Sequence, residues 1–213
     1  MKSALNNKYA LLALDSAIIL FCLFGLYLNY IKATLPFSIN TLEDNLIITS
    51  LTQDEIDLSV GDTLLLIDDL NFSNWEEAEL YLDGKNIGDK VQLTVRSNEI
   101  LNKVEVSLIN HYSIFDLSII GLVGLFFIVF AILVRIKAPE NNSAKIFHLA
   151  SLGLGMVIMM TAGNYTVSPF GFGYLNRILW LIAYSFTPVL FIHFTLSFVE
   201  AKDKKLRSII IIL

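Results

Sequence analysis

Four long apolar runs constrain the fold of this chain more than any other feature. The runs are Tyr9–Ile31, about 114–134, about 146–163 and 178–199. Each is close to the roughly 20 apolar residues that an α-helix needs to cross a bilayer. A fifth run begins at Ser208 and is too short to span at the point where the sequence stops. We therefore predict a multi-pass α-helical membrane protein with four helices and a truncated fifth.

The first run is predicted to be a retained anchor and not a cleaved signal peptide. Its apolar part is longer than the roughly 7–15 residues of a signal-peptide core, and no A-x-A cleavage site follows it. Cys22, the single cysteine, lies inside this run. It has no partner for an intramolecular disulfide, so cysteine pairing gives no indication of the compartment.

Basic residues in the short loops indicate a cytoplasmic N-terminus. In that orientation the cytoplasmic side carries nine basic residues: Lys2, Lys8, Arg135, Lys137, Lys145, Lys202, Lys204, Lys205 and Arg207. The short outer loop 164–177 carries only Arg177, as the positive-inside rule requires. Residues 32–112 then face outward with 5 basic and 15 acidic residues, and long segments translocate largely regardless of charge. We predict a multi-pass membrane protein in this orientation, with residues 32–112 extracytoplasmic.

The segment after the first run has the pattern of a β domain. Short apolar or alternating stretches predict strands at 46–51, 63–68 and 100–108, and a turn followed by a strand within 87–97. Asn74 is predicted to cap a short helix, WEEAELYL, whose first turn carries acidic residues where the helix dipole favours them. We therefore expect three parts: a tail and first helix (1–33), a compact, mostly antiparallel domain with one short helix (34–110), and the remaining helices (111–213).

The β-domain sequence resembles a PDZ domain. The matching stretches are TLPFSI (34–39), LIITSL (46–51), VGDTLLLIDDLNFS (60–73), WEEAELYL and GDKVQLTV (88–95). The stretch 60–73 followed by the short helix is the most specific part. The resemblance implies a groove between an early strand and the helix, in which a peptide C-terminus adds as a strand. It also implies chain termini that lie close together, which suits insertion between two adjacent membrane helices.

Five residues are candidates for lining this groove: Leu35, Phe37, Ile39, Trp75 and Leu82. The stretch TLPF stands where the family has its glycine-rich carboxylate-binding loop. Pro36 has no N–H, so one expected carboxylate donor is missing. Two interpretations remain open: a groove for a peptide, lipid or membrane-protein ligand, or apolar core in a domain with a structural or dimerising role.

Ionisable residues inside apolar helices indicate function by default. Asp15 and His193 lie at similar depths from the cytoplasmic ends of the first and fourth runs, so we expect them to form a pair. The alternatives are that Asp15 is protonated or reaches the interface, and that His193 bonds a backbone carbonyl. Pro188 is expected to kink the fourth helix. The small residues Ala150, Gly153 and Gly155 are expected to allow close helix packing.

The stretch TPVLFIHFTLSFVE (187–200) resembles a segment of bacterial multi-pass sensor proteins. The matching positions are Pro188, His193, Phe194, Leu196, Phe198 and Glu200, whereas Val199 replaces the family's usual proline. Together with the order helix, PDZ-like domain, helices, this resembles the N-terminal sensory region of a bacterial sensor histidine kinase. The resemblance implies a location in the bacterial cytoplasmic membrane. Some members of that family carry a phosphatase or cyclase output instead.

The sequence contains no motif for catalysis within this chain. HExxH, G-x-S-x-G and a Walker loop are absent, and three histidines with one cysteine suggest no metal site or cofactor. The charge pattern does not indicate nucleic acid binding. We therefore expect a signal-input module whose kinase or phosphatase output lies elsewhere, with a homodimer as one arrangement. The alternative is a membrane-anchored adaptor that recruits proteins to a protease or assembly complex.

Overall fold

The structure is a computed structural model that describes residues 8–42, 45–52, 57–161 and 172–198. In chain order its elements are α1 (Lys8–Tyr30), β1 (Ala33–Thr34), β2 (Phe37–Leu42), β3 (Asn45–Leu51), β4 (Thr63–Ile67), α2 (Trp75–Leu82), β5 (Lys90–Ser97), β6 (Ile100–Ser107), β7 (Ile109–Asn110), α3 (Ile114–Lys137), α4 (Asn142–Met159) and α5 (Phe172–Phe198).

The helices α1, α3, α4 and α5 are each long and apolar enough to cross a membrane. Together with the antiparallel β domain and its short helix, they confirm the predicted fold class. The predicted start of a fifth helix at Ser208 lies outside the described residues. Pro188 lies within α5, and the helix continues beyond it to Phe198.

Helix α4 begins earlier than the sequence pattern predicted. The Asn141 side chain accepts hydrogen bonds from the backbone N–H groups of Ser143 and Ala144 and caps the helix. The helix therefore begins at Asn142, four residues before the predicted start of its apolar run. Hydropathy missed this turn because it is polar. The earlier start places His148 well inside α4.

The β domain contains a five-stranded antiparallel sheet with the order β2-β3-β4-β5-β6. Strand β2 is an edge strand, because β3 is its one partner among the described residues. Helix α2 packs beside β1 and β2. Its predicted cap is confirmed, since the Asn74 side chain accepts the N–H of Glu77.

The core of the β domain lies between the sheet and α2. Its most buried side chains are Ile48, Ile67, Ala78 and Leu93, all at 0% exposure. Ala78 lies on α2, whereas Ile48, Ile67 and Leu93 alternate with more exposed neighbours along their strands, which is the period-2 pattern that predicted the strands. Burial of this apolar surface is the main contribution to the stability of the domain.

The four long helices pack closely at small residues. A Cβ atom added to Gly155 would lie 2.8 Å from Ile128 on α3, and one added to Gly153 would lie 2.3 Å from Thr187 Oγ1 on α5. Ala150 is fully buried. These contacts confirm the prediction that small residues of α4 allow neighbouring helices to approach closely.

Candidate functional site

Of the candidate groove residues, Phe37 and Ile39 lie on the edge strand β2, Trp75 and Leu82 lie on α2, and Leu35 precedes β2. An edge strand carries backbone N–H and C=O groups that an extended ligand can pair with. Leu35, Phe37 and Leu82 face the core, with exposures of 1%, 4% and 1%. Ile39 and Trp75 are half-buried against the same core. Of the five candidate residues, only these two therefore present surface to a ligand in this structure.

The loop that precedes β2 is tied into the sheet. The carbonyl of Pro36 accepts a hydrogen bond from the N–H of Thr52, at 2.9 Å. Because Pro36 offers no N–H, this loop cannot supply the complete set of donors that a terminal carboxylate needs. The geometry therefore suits an added strand better than capture of a C-terminus.

Lys32 forms a buried ion pair with α2 that the sequence analysis missed. Its Nζ lies 2.5 Å from Glu79 Oε1 and 3.6 Å from Asp83 Oδ1, and its side chain is 4% exposed. Glu79 and Asp83 are four residues apart, which places both on one face of the helix. That spacing was the available signal, but it does not identify a lysine 47 residues away as the partner. Lys32 is the basic residue nearest in sequence to the TLPF loop (34–37), and this ion pair neutralises its charge.

The two ends of the β domain are joined by a short antiparallel ladder. Strands β1 and β7 pair Ala33 with Asn110 and Thr34 with Ile109, and the N–H of His111 donates to the carbonyl of Lys32. We call these two strands the terminal ladder. It confirms the expectation that the chain enters and leaves the domain at neighbouring points.

His111 lies directly beyond the terminal ladder in a partly buried position. Burial, and then the positive charge of Lys32, hold the pKa of His111 below its usual value, and Glu79 opposes them. The His111 ring contacts Tyr112 edge to face, with centroids 4.6 Å apart. The folded domain therefore favours the neutral imidazole.

Asp68, from the most specific part of the PDZ resemblance, has a structural role. Its Oδ1 accepts the backbone N–H of Gln92, and its Oδ2 accepts Tyr81 Oη and Lys85 Nζ, all within 2.9 Å. Burial raises the pKa of Asp68, but the hydrogen bonds from Gln92, Lys85 and Tyr81 outweigh it and hold the pKa below the usual value. The residue connects α2 to the sheet, with a left-handed φ of 49°.

In the helical part of the chain, Asp15 contacts His148. Asp15 Oδ1 lies 3.0 Å from His148 Nε2, with side-chain exposures of 13% and 1%. The two atoms lie within ion-pair distance, but their alignment is not that of a linear hydrogen bond. The contact joins α1 to α4, and Arg135 at the end of α3 acts electrostatically on both residues.

The predicted pair of Asp15 with His193 is wrong in its partner. His193 is exposed on α5, whereas His148 is buried against α1. Equal depth along two helices does not determine which faces meet, because each residue also turns about 100° around its helix axis. In the sequence His148 lies only two residues into the apolar run at about 146–163, whereas the polar first turn of α4 places it deeper in the helix.

Two further polar contacts hold α5 to its neighbours. Asn176 Nδ2 donates to the carbonyl of Phe21 on α1, at 3.2 Å, and Trp180 Nε1 donates to the carbonyl of Val157 on α4, at 3.1 Å. Neither was predicted, because backbone acceptors leave no sequence signature. In the described part of the chain, no group of three or more His, Cys, Asp or Glu side chains could hold a metal ion.

Comparisons with known proteins give only local structural likenesses. No protein-family model matches this chain, and no curated protein matches it. One similar solved structure is an HtrA-type protease, AlgW, with a tripeptide, at 15% identity and a TM-score of 0.35; the match covers 39% of this chain and 33% of that one. Another is an aminopeptidase N family protein from Idiomarina loihiensis, at 19% identity and a TM-score of 0.34, covering 38% and 14%. The chain thus spans a third or less of the length of either protein.

Proposed function

We propose that this protein is a signal-input module of a membrane sensor. In this proposal the β domain senses a ligand or dimerises outside the cytoplasm. The helices transmit the resulting change to a histidine kinase or phosphatase output that is not encoded in these 213 residues. The resemblance of residues 187–200 to a segment of bacterial sensor proteins is the reason for proposing a kinase or phosphatase as the output domain.

The terminal ladder is the observation that carries the proposal. It hydrogen-bonds the segment that follows α1 to the segment that precedes α3. A rearrangement of the β domain at β1 and β7 must therefore act on both connections together. An inserted domain whose two ends were far apart could not couple them in this way.

Helix α1 has polar contacts that suit two-state behaviour. Asp15 binds His148 on α4, and the carbonyl of Phe21 accepts a bond from Asn176 on α5. In apolar surroundings such contacts are either made or broken, because a half-separated pair loses its attraction and regains no water. A shift of α1 would exchange one set of contacts for another, which is the kind of bistable element that switching requires.

The first test is to read the coding sequence past codon 213. An open frame that continues into a kinase, phosphatase or cyclase domain supports the signal-input function. A stop codon at that point overturns it.

A second test uses the full reading frame with the terminal ladder locked. Ala33 and Asn110 lie directly opposite each other, so the double variant Ala33→Cys/Asn110→Cys places two thiols within disulfide range. We expect oxidation to hold the output activity at one level and reduction to restore regulation. The single variant Ala33→Cys under the same oxidant is the control. Regulation that is unchanged in the oxidised double variant would contradict a role for the ladder.

The adaptor function is the second candidate, and the free edge of β2 favours it. A partner segment can add to this edge as a strand, with Ile39 and Trp75 as apolar contacts. Because Pro36 lacks an N–H and Lys32 is held by Glu79, we expect peptides with free and amidated C-termini to bind equally. A peptide array on the whole chain measures this, and the absence of binding by any peptide would exclude the adaptor.

A further inference from the structure

A cleft of about 490 Å³ opens at one end of helices α1 and α3. Its walls include the apolar side chains of Leu12, Ile132 and Ile136. Three charged side chains also line it: Asp15 from α1, Arg135 from the last turn of α3, and Glu140 from the α3–α4 connection. The cleft thus combines an apolar wall with one cation and two carboxylates.

The charged groups of the cleft are ordered along the helix axes. Glu140 lies beyond the end of α3, Arg135 lies in its last turn, and Ile132 lies nearly one turn further in. A membrane-spanning helix changes from apolar to polar surroundings over this distance, at the level of the lipid headgroups. A ligand that matches the cleft has a charged end at Glu140 and Arg135 and an apolar body along Ile132 and Leu12.

The charges of the cleft specify the headgroup. A guanidinium binds phosphate oxygens, and its five donors allow Arg135 to do so while it also donates to the carbonyl of Pro139. The exposed carboxylate of Glu140 suits a hydrogen-bonding cation beside that phosphate. A primary ammonium group can donate to this carboxylate. A trimethylammonium group has no N–H, and the glycerol group of phosphatidylglycerol carries no positive charge.

We infer that this cleft binds a zwitterionic phospholipid with a primary ammonium headgroup, phosphatidylethanolamine. Arg135 contacts the phosphate, Glu140 accepts from the ammonium, and an acyl chain lies against Leu12 and Ile132. The inference requires only that these helices span a membrane, and it holds whether or not the protein signals. Asp15 lines the cleft and also contacts His148. A lipid bound in the cleft would therefore affect the contact between α1 and α4.

The test is native mass spectrometry of the whole chain with three lipids of identical acyl chains: phosphatidylethanolamine, phosphatidylcholine and phosphatidylglycerol. We expect phosphatidylethanolamine to bind about threefold more tightly than phosphatidylcholine, since an ion pair with an exposed carboxylate such as Glu140 contributes only a small factor. Glu140→Gln should abolish this preference and leave phosphatidylcholine binding unchanged. Arg135→Gln should weaken the binding of both lipids.

Lys137→Gln is the matched control, because Lys137 is a basic residue of the same helix turn that does not line the cleft. It should behave as the unchanged protein. Equal binding of all three lipids, a preference for phosphatidylglycerol, or an equal loss in Lys137→Gln and Arg135→Gln would each overturn the inference. If Arg135→Gln fails to fold, Glu140→Gln still decides, since Glu140 is exposed and its loss leaves the packing intact.

Discussion

Asp15 on α1 and His148 on α4 meet at 3.0 Å, with the imidazole almost completely buried. The contact is a polar link between the two helices. Its members lie 133 positions apart in the chain, on either side of the inserted β domain. The contact therefore reports directly on the packing of α1 in the bundle.

Removal of His148 should destabilise the helical part of the chain. His148→Ala leaves the carboxylate of Asp15 buried without its partner, and we expect a loss of about 2 kcal/mol. Unfolding of the whole chain in mixed detergent micelles measures this. His193→Ala is the control and should leave the unfolding midpoint unchanged, because His193 is exposed on α5. Equal effects of the two variants would contradict the assignment of the pair.

Lys32 should be essential for the stability of the β domain. Lys32→Met leaves Glu79 and Asp83 as neighbouring carboxylates without their cation, which we expect to cost about 3 kcal/mol. The fluorescence of Trp75 in a Trp180→Phe background reports the unfolding of the domain. Lys90→Met is the control, since its ion pair with Glu105 is exposed and should contribute little. A midpoint that shifts no more than in the control would contradict this prediction.

The close approach of α4 and α5 predicts a pair of compensating substitutions. Gly153→Ala places a Cβ 2.3 Å from Thr187 Oγ1, so we expect a loss of about 2 kcal/mol from overpacking. Thr187→Ala removes that oxygen, and the double variant should regain most of the lost stability. Gly121→Ala is the control, because its Cβ would meet only Leu26 Cδ1 at 3.4 Å. Detergent unfolding of the four variants tests the coupling, and additive losses would exclude the contact.

The stability of the β domain should depend on pH through His111. Burial and Lys32 hold the pKa of His111 below its usual value, so the unfolded chain takes up a proton more readily than the folded domain. The contribution of neutral His111 to the free energy of unfolding is therefore complete above about pH 6.5, and it is lost as the pH falls below that value. Trp75 fluorescence between pH 8 and pH 5 measures the effect. His111→Gln should flatten the dependence, and an unchanged slope in this variant would assign it to another group.

Local patterns in the sequence were sufficient to predict much of this fold. The apolar runs predicted four membrane-type helices, and the alternation of apolar residues predicted an antiparallel β domain between the first and second of them. The Asn74 cap and the small residues of α4 were also predicted correctly. These features depend on neighbouring residues and on helix or strand period, so they can be read without knowledge of distant contacts.

Only the tertiary structure decided which side chains meet. It pairs Asp15 with His148 instead of His193, holds Lys32 against Glu79, and directs Leu35, Phe37 and Leu82 into the core. Each outcome depends on the rotation of a helix about its axis or on the register of strands far apart in the chain. Packing across the whole molecule determines both, because a side chain of suitable type at a suitable depth can still point away from its expected partner.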